Sequence, residues 1–485
     1  MAETTSIVIF GASGDLTQRK LVPALYQLYL KDRLPESFLV VGNSRTEYSH
    51  DEWRDIQREA VAEHAEESFD QSRWESFAGN LWYVPGDASE KEGMQTVLDF
   101  LTETEKEGDQ ANRLYYLSVA PKLYVPIVEN LGALEMARDS ADYWRRVVIE
   151  KPFGTDLESA QKLNNKTHEV FDESQVYRID HYLGKETAQN IIFLRFANAI
   201  FEPIWNRNYI DNIQITAIES VEVGHRAAYY DNTGVLRDMF QNHLLQLMSL
   251  IAMEPPASMD ADAHRNEKVK LLQSIRPIDP FDTVAAQYNG YPDTEGVAPE
   301  SRTPTYAAMK LNVDNWRWQG VPFYLRSGKA LNRKLTEIVV VFRQPPHRMF
   351  NNHHNERDFP ANALSICVQP DEGIHLSFEA KVPDSPRDTQ SVDLEFHYRD
   401  SFTGSPIPEA YERLLLDALV GDASLFTRSD GIEAAWRLMD PIIQLWEADE
   451  MPQLAHYEPG SWGPREADEL LAGEGRSWVA GCVHD

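Results

Sequence analysis

The chain has 485 residues, 42% of them hydrophobic, which is enough for two packed domains of ordinary size. Its 77 acidic residues against 46 basic ones leave a formal net charge of −31, which argues against nucleic acid as a partner, because phosphate backbones are bound by clustered cations. No apolar run reaches the ~18 residues that span a bilayer, and the two cysteines, Cys367 and Cys482, are too few for a disulfide framework and stand in no metal-ligand spacing.

Met1 to Ser6 lack the basic region, apolar stretch and cleavage site of a secretory signal, so a soluble cytoplasmic protein is expected, with no membrane partner. Ser6-Ile7-Val8-Ile9-Phe10 is a short β-branched run ending at Gly11, the pattern of a buried parallel strand. Gly11-Ala12-Ser13-Gly14-Asp15-Leu16-Thr17 follows it, and Leu21 to Leu30 then shows helical spacing. A glycine at 11 permits the tight turn, and a glycine at 14 lets backbone N–H groups approach a pyrophosphate at a helix N-terminus. Thr17 stands where the third Gly or Ala of that fingerprint is usual. Phe38 to Gly42 reads as the second strand, and it runs into Asn43-Ser44-Arg45-Thr46 with no acid at its end. An acid there binds the ribose hydroxyls of NAD, whereas Arg45 can pair with a 2′-phosphate. NADP is therefore the expected cofactor, with NAD as the alternative.

Further strands are predicted at Leu81 to Val84, Arg113 to Leu117 and Arg146 to Glu150, and their alternation with helical stretches predicts a Rossmann-type, doubly wound α/β domain over residues 1–178. From 179 to 485 the pattern becomes α+β. Ile213 to Glu219, Ala307 to Val313, Ile338 to Phe342, Leu364 to Val368 and His375 to Phe378 alternate like strands of a mostly antiparallel sheet. Helices are predicted at Val235 to Met253 and Ala410 to Leu419, and mobile loops at Pro255 to Ala263 and Asn289 to Pro304.

Arg178-Ile179-Asp180-His181-Tyr182-Leu183-Gly184-Lys185 crowds cations, a carboxylate, an imidazole and a phenol into one short segment. Each such group needs a partner when buried or costs about 1–3 kcal/mol, so the segment reads as an anion pocket with a proton-handling carboxylate beside it. Together with the glycine turn it points to a dehydrogenase acting on a phosphorylated sugar.

The resemblance to a known family rests on these residues and on others in the same order. Gly11 to Leu16, Glu150-Lys151-Pro152-Phe153-Gly154, Arg178 to Lys185, Arg237-Asp238 with Gln241 to Gln246, Arg265 to Lys270, Val321 to Lys329 and Gly463 to Leu470 together resemble the glucose-6-phosphate dehydrogenase family over nearly the whole chain. The resemblance implies oxidation of glucose 6-phosphate at C1 to the 6-phospho-lactone, with hydride passing to NADP, in a homodimer or homotetramer. His243 is the candidate base, since an imidazole titrates near neutrality, and the resemblance pairs it with Asp180. It also implies that His181, Tyr182 and Lys185 hold the phosphate, that Glu219 and Asp238 accept from sugar hydroxyls, and that Lys329 and Lys334 reach the substrate. Arg333 beside Lys334 is the alternative for that last contact. Lys151, before an implied cis proline, is placed between cofactor and substrate, and Asp87 in Pro85-Gly86-Asp87-Ala88 resembles a nucleotide-contacting position. No metal is expected. Cys367 occupies a place where relatives with a second NADP site carry a cation.

Two other readings fit less well. A short-chain dehydrogenase needs Tyr-x-x-x-Lys, and Tyr182 and Lys185 fail that spacing. A nucleotide sensor without catalysis should have lost the base or its carboxylate, and this chain keeps His243, Asp180, Lys185 and Lys151. The acidity conflicts with an anionic substrate, which the long-range field repels. The conflict dissolves in concentrated salt, where the Debye length falls from about 8 Å to about 3 Å near 1 M. Arginine outnumbers lysine, and the acidic runs from Glu63 to Asp70 and from Glu103 to Asp109 read as solvated faces. A salt-adapted protein is the expectation.

Overall fold

The computed structural model describes residues 4–65, 68–105, 110–347, 361–385, 388–402, 407–448 and 453–482. The chain forms two compact units: Met1–Gly184 with Ala257–Arg265 and Pro408–Glu433, and Lys185–Pro256 with Asn266–Ile407 and Ala434–Asp485.

The first unit is built on six parallel strands: β1 (Thr4–Phe10), β2 (Ser37–Ser44), β3 (Leu81–Pro85), β4 (Asn112–Leu117), β5 (Arg145–Ile149) and β6 (Val176–Arg178). Their order is β3-β2-β1-β4-β5-β6. It reverses between β1 and β4, which opens a crevice beyond the carboxyl ends of those strands. β1 is buried along its whole length, which explains its unbroken apolar run: a parallel strand covered on both faces has no solvent side for polar residues. The helices that cover the sheet start where the sequence supplies caps. Ser49 and Glu52 cap His50–His64 reciprocally, and Asp156 caps Leu157–His168. The late segment Ala410–Val420 belongs to this unit through Lys31 on Glu412 (2.6 Å) and through Arg146, whose Nη1 donates to the carbonyls of Ala418 and Leu419 at 2.8 and 2.7 Å.

Part of one acidic run is not a solvated face. Glu105 is buried, accepts from Arg113 Nε and Nη2 at 3.0 and 2.7 Å, and also accepts from the Ser6 hydroxyl at 2.7 Å. A run of acids hides one inward-facing member because the compensating arginine lies on a neighbouring strand. Residues 66–67 and 106–109, within the two runs, lie outside the described residues.

The second unit carries β7 (Ile210–Ile218), β8 (Thr283–Tyr288), β9 (Tyr306–Asn312), β10 (Pro322–Gly328), β11 (Leu335–Phe342), β12 (Ala363–Gln369), β13 (Gly373–Lys381), β14 (Thr389–His397) and β15 (Ala455–Tyr457). These form a nine-stranded sheet in the order β14-β13-β12-β11-β7-β10-β9-β8-β15. It is mostly antiparallel, with parallel seams at β7–β10 and β8–β15. Ile218, Leu335, Tyr230, Tyr288, Tyr306 and Tyr457 pack together as a buried cluster at the ends of β7, β8 and β11.

Three expectations beyond residue 179 are corrected. The predicted helix from Val235 to Met253 is two windings: a π-helix over Leu236–Leu244, then an α-helix over Leu245–Ala252. The predicted loop at Pro255 to Ala263 is cut short by a helix that begins at Ala261. The loop at 289–304 is tied down by Asp231, whose carboxylate accepts from Tyr291 Oη and the Ala298 N–H at 2.9 and 3.0 Å and whose carbonyl accepts from Thr303 Oγ1 at 2.7 Å. The two cysteines, too few for a framework, still make one bond. Cys367 on β12 is bridged to Cys482, 115 residues on, with Cα atoms 5.6 Å apart. No described helix is long and apolar enough to cross a membrane.

Candidate active site

The crevice of the first unit is a cleft of about 530 Å³ lined by the Gly11–Gly14 turn, Asn43 to Thr46, Gly86 to Ser89 and Ser118 to Ala120. Gly11 has φ +88°, and a Cβ there would stand 1.9 Å from the Ser118 carbonyl oxygen, so only glycine fits the turn. The Gly14 N–H donates to the Gly11 carbonyl at 2.9 Å, which closes the turn, and Trp53 Nε1 donates to the Ala12 carbonyl at 3.1 Å from below. Thr17, the departure from the fingerprint, is buried, and its hydroxyl donates to the Gly11 carbonyl at 3.3 Å. The helix thus approaches the turn through a hydrogen bond instead of a third glycine. Asp15 is exposed and pairs with Arg19 at 3.3 Å. Leu16 is half-buried at the start of the same helical stretch.

At the end of β2 a set of hydroxyls surrounds Arg45, and sequence reasoning had named only part of it. Ser44 Oγ donates to Ser13 Oγ at 2.9 Å, and Thr46 Oγ1 donates to Ser13 Oγ at 3.2 Å. Arg45 itself is exposed. Asp87 accepts from the Ser89 N–H and hydroxyl at 3.0 and 2.6 Å. The Ser89 hydroxyl and N–H, with a smaller contribution from Arg45, hold its carboxyl below the usual aspartate range. Donors, small side chains and a cation without a ribose-binding acid suit a dinucleotide carrying an extra phosphate. Ser44, Thr46, Ser89 and Ser118 were missed because a hydroxyl in a loop carries no signal until the strand ends are brought to one crevice.

Lys151 lies just past β5, and the Lys151–Pro152 peptide is cis, as the resemblance implies. Glu150 before it is buried and accepts from Tyr116 Oη at 2.6 Å, and burial pushes its carboxyl up. Asp180 is buried, and its Oδ1 accepts the Tyr182 N–H at 3.0 Å. The His181 and Tyr182 rings lie 5.0 Å apart between centroids. Gly184 ends the turn where a Cβ would meet the Ala410 carbonyl oxygen at 2.7 Å. Arg178 does not belong to an anion pocket. It is buried and paired with Glu173 at 2.7 Å, and Glu173 also accepts the Ser429 N–H at 3.2 Å. The first cation of the polar segment is therefore a structural one.

In the second unit the sheet gathers residues from three distant places. Glu219 follows β7, with its N–H on the Gly328 carbonyl at 2.9 Å and its carbonyl accepting the Leu331 N–H at 2.9 Å. Lys329 follows β10, its ammonium bonded to the Glu219 carboxylate, 3.8 Å from Asp238 Oδ2 and 5.1 Å from the Tyr230 ring centre. Asp238 and His243 both stand on the π-helical stretch. In an α-helix, residues five apart point about 140° away from each other. A winding bonded from i to i+5 stacks them on one side instead. The Leu245 N–H accordingly reaches the Phe240 carbonyl. His243 is buried, 1% exposed. Lys185 Nζ donates to Gln369 Oε1 at 2.6 Å. Lys334 is exposed just before β11, and Arg333 stacks over the Trp462 ring at 5.0 Å. Gln369 and Tyr230 were not foreseen, since neither stands in a motif.

Comparison with known proteins covers the whole of this arrangement. Residues 8–190 match the glucose-6-phosphate dehydrogenase NAD binding domain, and residues 192–479 match the glucose-6-phosphate dehydrogenase C-terminal domain. The chain is 44% identical over 494 aligned residues to a glucose-6-phosphate 1-dehydrogenase of Aggregatibacter actinomycetemcomitans, covering 98% of this chain and 97% of that one. It is 43% identical to a protein of the same name from Chlamydia pneumoniae, covering 97% and 95%. A solved glucose-6-phosphate dehydrogenase in complex with its substrate glucose-6-phosphate superposes with a TM-score of 0.91 at 35% identity, over 99% of both chains. The glucose-6-phosphate 1-dehydrogenase of Mycobacterium avium superposes at 0.85 with 36% identity, over 99% of this chain and 100% of that one.

Proposed function

The chain belongs to the glucose-6-phosphate dehydrogenase family, and from that premise we propose that it oxidises D-glucose 6-phosphate at C1 to 6-phospho-D-glucono-1,5-lactone. The observation that carries the reading is the joining of Glu219 and Lys329, at the ends of β7 and β10, with Asp238 on the helix that carries His243. Two carboxylates share one ammonium, so the trio keeps a net negative charge. They are set to exchange those bonds for sugar hydroxyls, which accept from the ammonium and donate to the carboxylates.

In this reading His243 takes the C1 hydroxyl proton, and Asp180 orients the imidazole and stabilises its protonated form. NADP, when bound, supplies the hydride acceptor. Gly11 to Leu16 cradle its pyrophosphate, Arg45 with Ser13 and Thr46 meets the 2′-phosphate, Asp87 lines the cleft, and Lys151 positions cofactor and sugar together. His181, Tyr182 and Lys185 hold the phosphate of the substrate. Lys334, or Arg333 beside it, supplies a further cation to the substrate. The enzyme acts in the cytoplasm, since its charged substrate and cofactor do not pass through hydrocarbon unaided. It assembles as a homodimer or homotetramer through the large sheet.

The test is reduction of NADP by the purified chain with glucose 6-phosphate, compared with unphosphorylated glucose. No turnover with the phosphorylated sugar at any salt concentration overturns the reading. Arg45→Ala is expected to raise KM for NADP by roughly 10- to 100-fold, the equivalent of one charged hydrogen-bonding partner, and to leave KM for NAD within about twofold. Kinetics with both nucleotides check it, and an equal change for the two removes Arg45 from the phosphate site.

We also read the charge of −31 as salt adaptation. KM for glucose 6-phosphate is expected to fall as potassium chloride rises toward about 1 M, because screening removes the repulsion of distant carboxylates but spares contacts at hydrogen-bond distance. Full activity and full stability at low ionic strength would sink this part of the proposal.

A further inference from the structure

The last part of the described chain is laid against the large sheet by side chains from several strands. Gln214 of β7 donates to the Ser477 carbonyl at 2.9 Å and accepts the Val479 N–H at 2.8 Å. One oxygen of Glu337 on β11 accepts the N–H groups of Gly481 and Cys482 at 3.1 and 3.0 Å. His375 Nδ1 of β13 lies 3.0 Å from the Gly481 carbonyl oxygen, and Cys482 is bonded to Cys367 of β12. Burial pushes the Glu337 carboxyl up to about 7, while the N–H groups of Cys482 and Gly481 pull it the other way.

The strand that carries Cys367 also carries a group of the proposed substrate site. In the β11–β12 pairing Thr336 stands opposite Gln369 and Glu337 opposite Cys367, which leaves Val368 as a bulged extra residue. The Val368 carbonyl accepts from Thr187 Oγ1 at 3.2 Å. Gln369 donates to Thr336 Oγ1 at 2.9 Å and accepts from Lys185 Nζ at 2.6 Å. The disulfide and the amide that holds Lys185 are thus separated by one bulged residue.

We propose that the Cys367–Cys482 disulfide is a staple that fixes the bulged end of β12, and that Gln369 is a positioning residue for Lys185, so that reduction of the staple weakens the grip on the substrate phosphate. This rests on the reading of Lys185 as a phosphate ligand. Opening the staple takes two thiol–disulfide exchanges with a dithiol. Cys367 is buried and Cys482 only half-buried, so the dithiol's first sulfur attacks Cys482 and Cys367 leaves as thiolate. The dithiol's second sulfur then displaces Cys482. The protein ends with two thiols, the dithiol ends as its disulfide, and its two protons pass to the cysteines.

The experiment uses the full chain, as purified and after dithiothreitol, with thiol titration, kinetics and carboxypeptidase digestion. Two thiols should appear only after reduction, and trimming should pass Cys482 only then. KM for glucose 6-phosphate should rise roughly five- to tenfold while kcat and KM for NADP change by less than about twofold, the split expected when ground-state and transition-state binding weaken together. Cys482→Ser should show the raised KM with or without dithiothreitol, and so should Gln369→Leu. Unchanged KM in a chain that titrates with two new thiols overturns the coupling, and two thiols in the untreated chain overturn the staple itself. Failure of the underlying reading is distinguishable: Lys185→Ala would then leave KM unchanged, while thiol count and trimming still report the bond.

Discussion

Replacing His243 by Asn is expected to lower kcat for glucose 6-phosphate by roughly 10²- to 10⁴-fold, the contribution of a positioned general base, with KM changed by less than about threefold. The expectation follows from placement. His243 is buried on a π-helical stretch whose winding brings it to the side that carries Asp238, and Asp238 is in turn within reach of Lys329. An asparagine keeps the size and part of the hydrogen bonding, so the site should still assemble, but an amide cannot accept the C1 proton near neutral pH. Steady-state kinetics with glucose 6-phosphate measure it. A near-wild-type kcat removes His243 as the base and shifts attention to another acceptor, whereas a loss confined to KM would make it a binding residue.

Lys185→Ala is expected to raise KM for glucose 6-phosphate by roughly 10- to 150-fold, matching the ~1.5–3 kcal/mol of a hydrogen bond to a charged group. A unit charge pair at 4 Å is worth about 4 kcal/mol at an effective dielectric of 20 before desolvation, so the loss should be large but not complete, with His181 and Tyr182 remaining. The ammonium is held by the neutral amide of Gln369 at 2.6 Å, a partner that orients it without cancelling its charge. Turnover of unphosphorylated glucose should be unaffected, because it has no anion to lose. A KM unchanged for the phosphorylated sugar takes Lys185 out of the phosphate site.

Much of the fold was legible because its signals are local. The buried run before Gly11 predicted β1 and the turn after it, and the alternating stretches predicted β7, β9, β11, β12 and β13 within a few residues. β6, β8, β10, β14 and β15 were not anticipated: the first and last are three residues long, β8 and β10 are buried throughout without alternation, and β14 is largely exposed. The winding of the 236–244 helix was not legible either, since a heptad-like apolar pattern does not distinguish i+4 from i+5 bonding.

Residue type at short range was enough to read the nucleotide turn, the lack of a ribose-binding acid at the end of β2, the polar segment from Arg178 to Lys185 and the family resemblance. Which charges pair with one another emerged from the packing of the strands and helices. Arg178 is taken by Glu173, Glu105 turns inward to Arg113, Lys329 is drawn to Glu219 and Asp238, and Cys482 finds Cys367 across 115 residues. The physical reason is common to all four. A charge or a thiol declares its role through its partner, and the partner is chosen by which strands the sheet places side by side, not by distance along the chain.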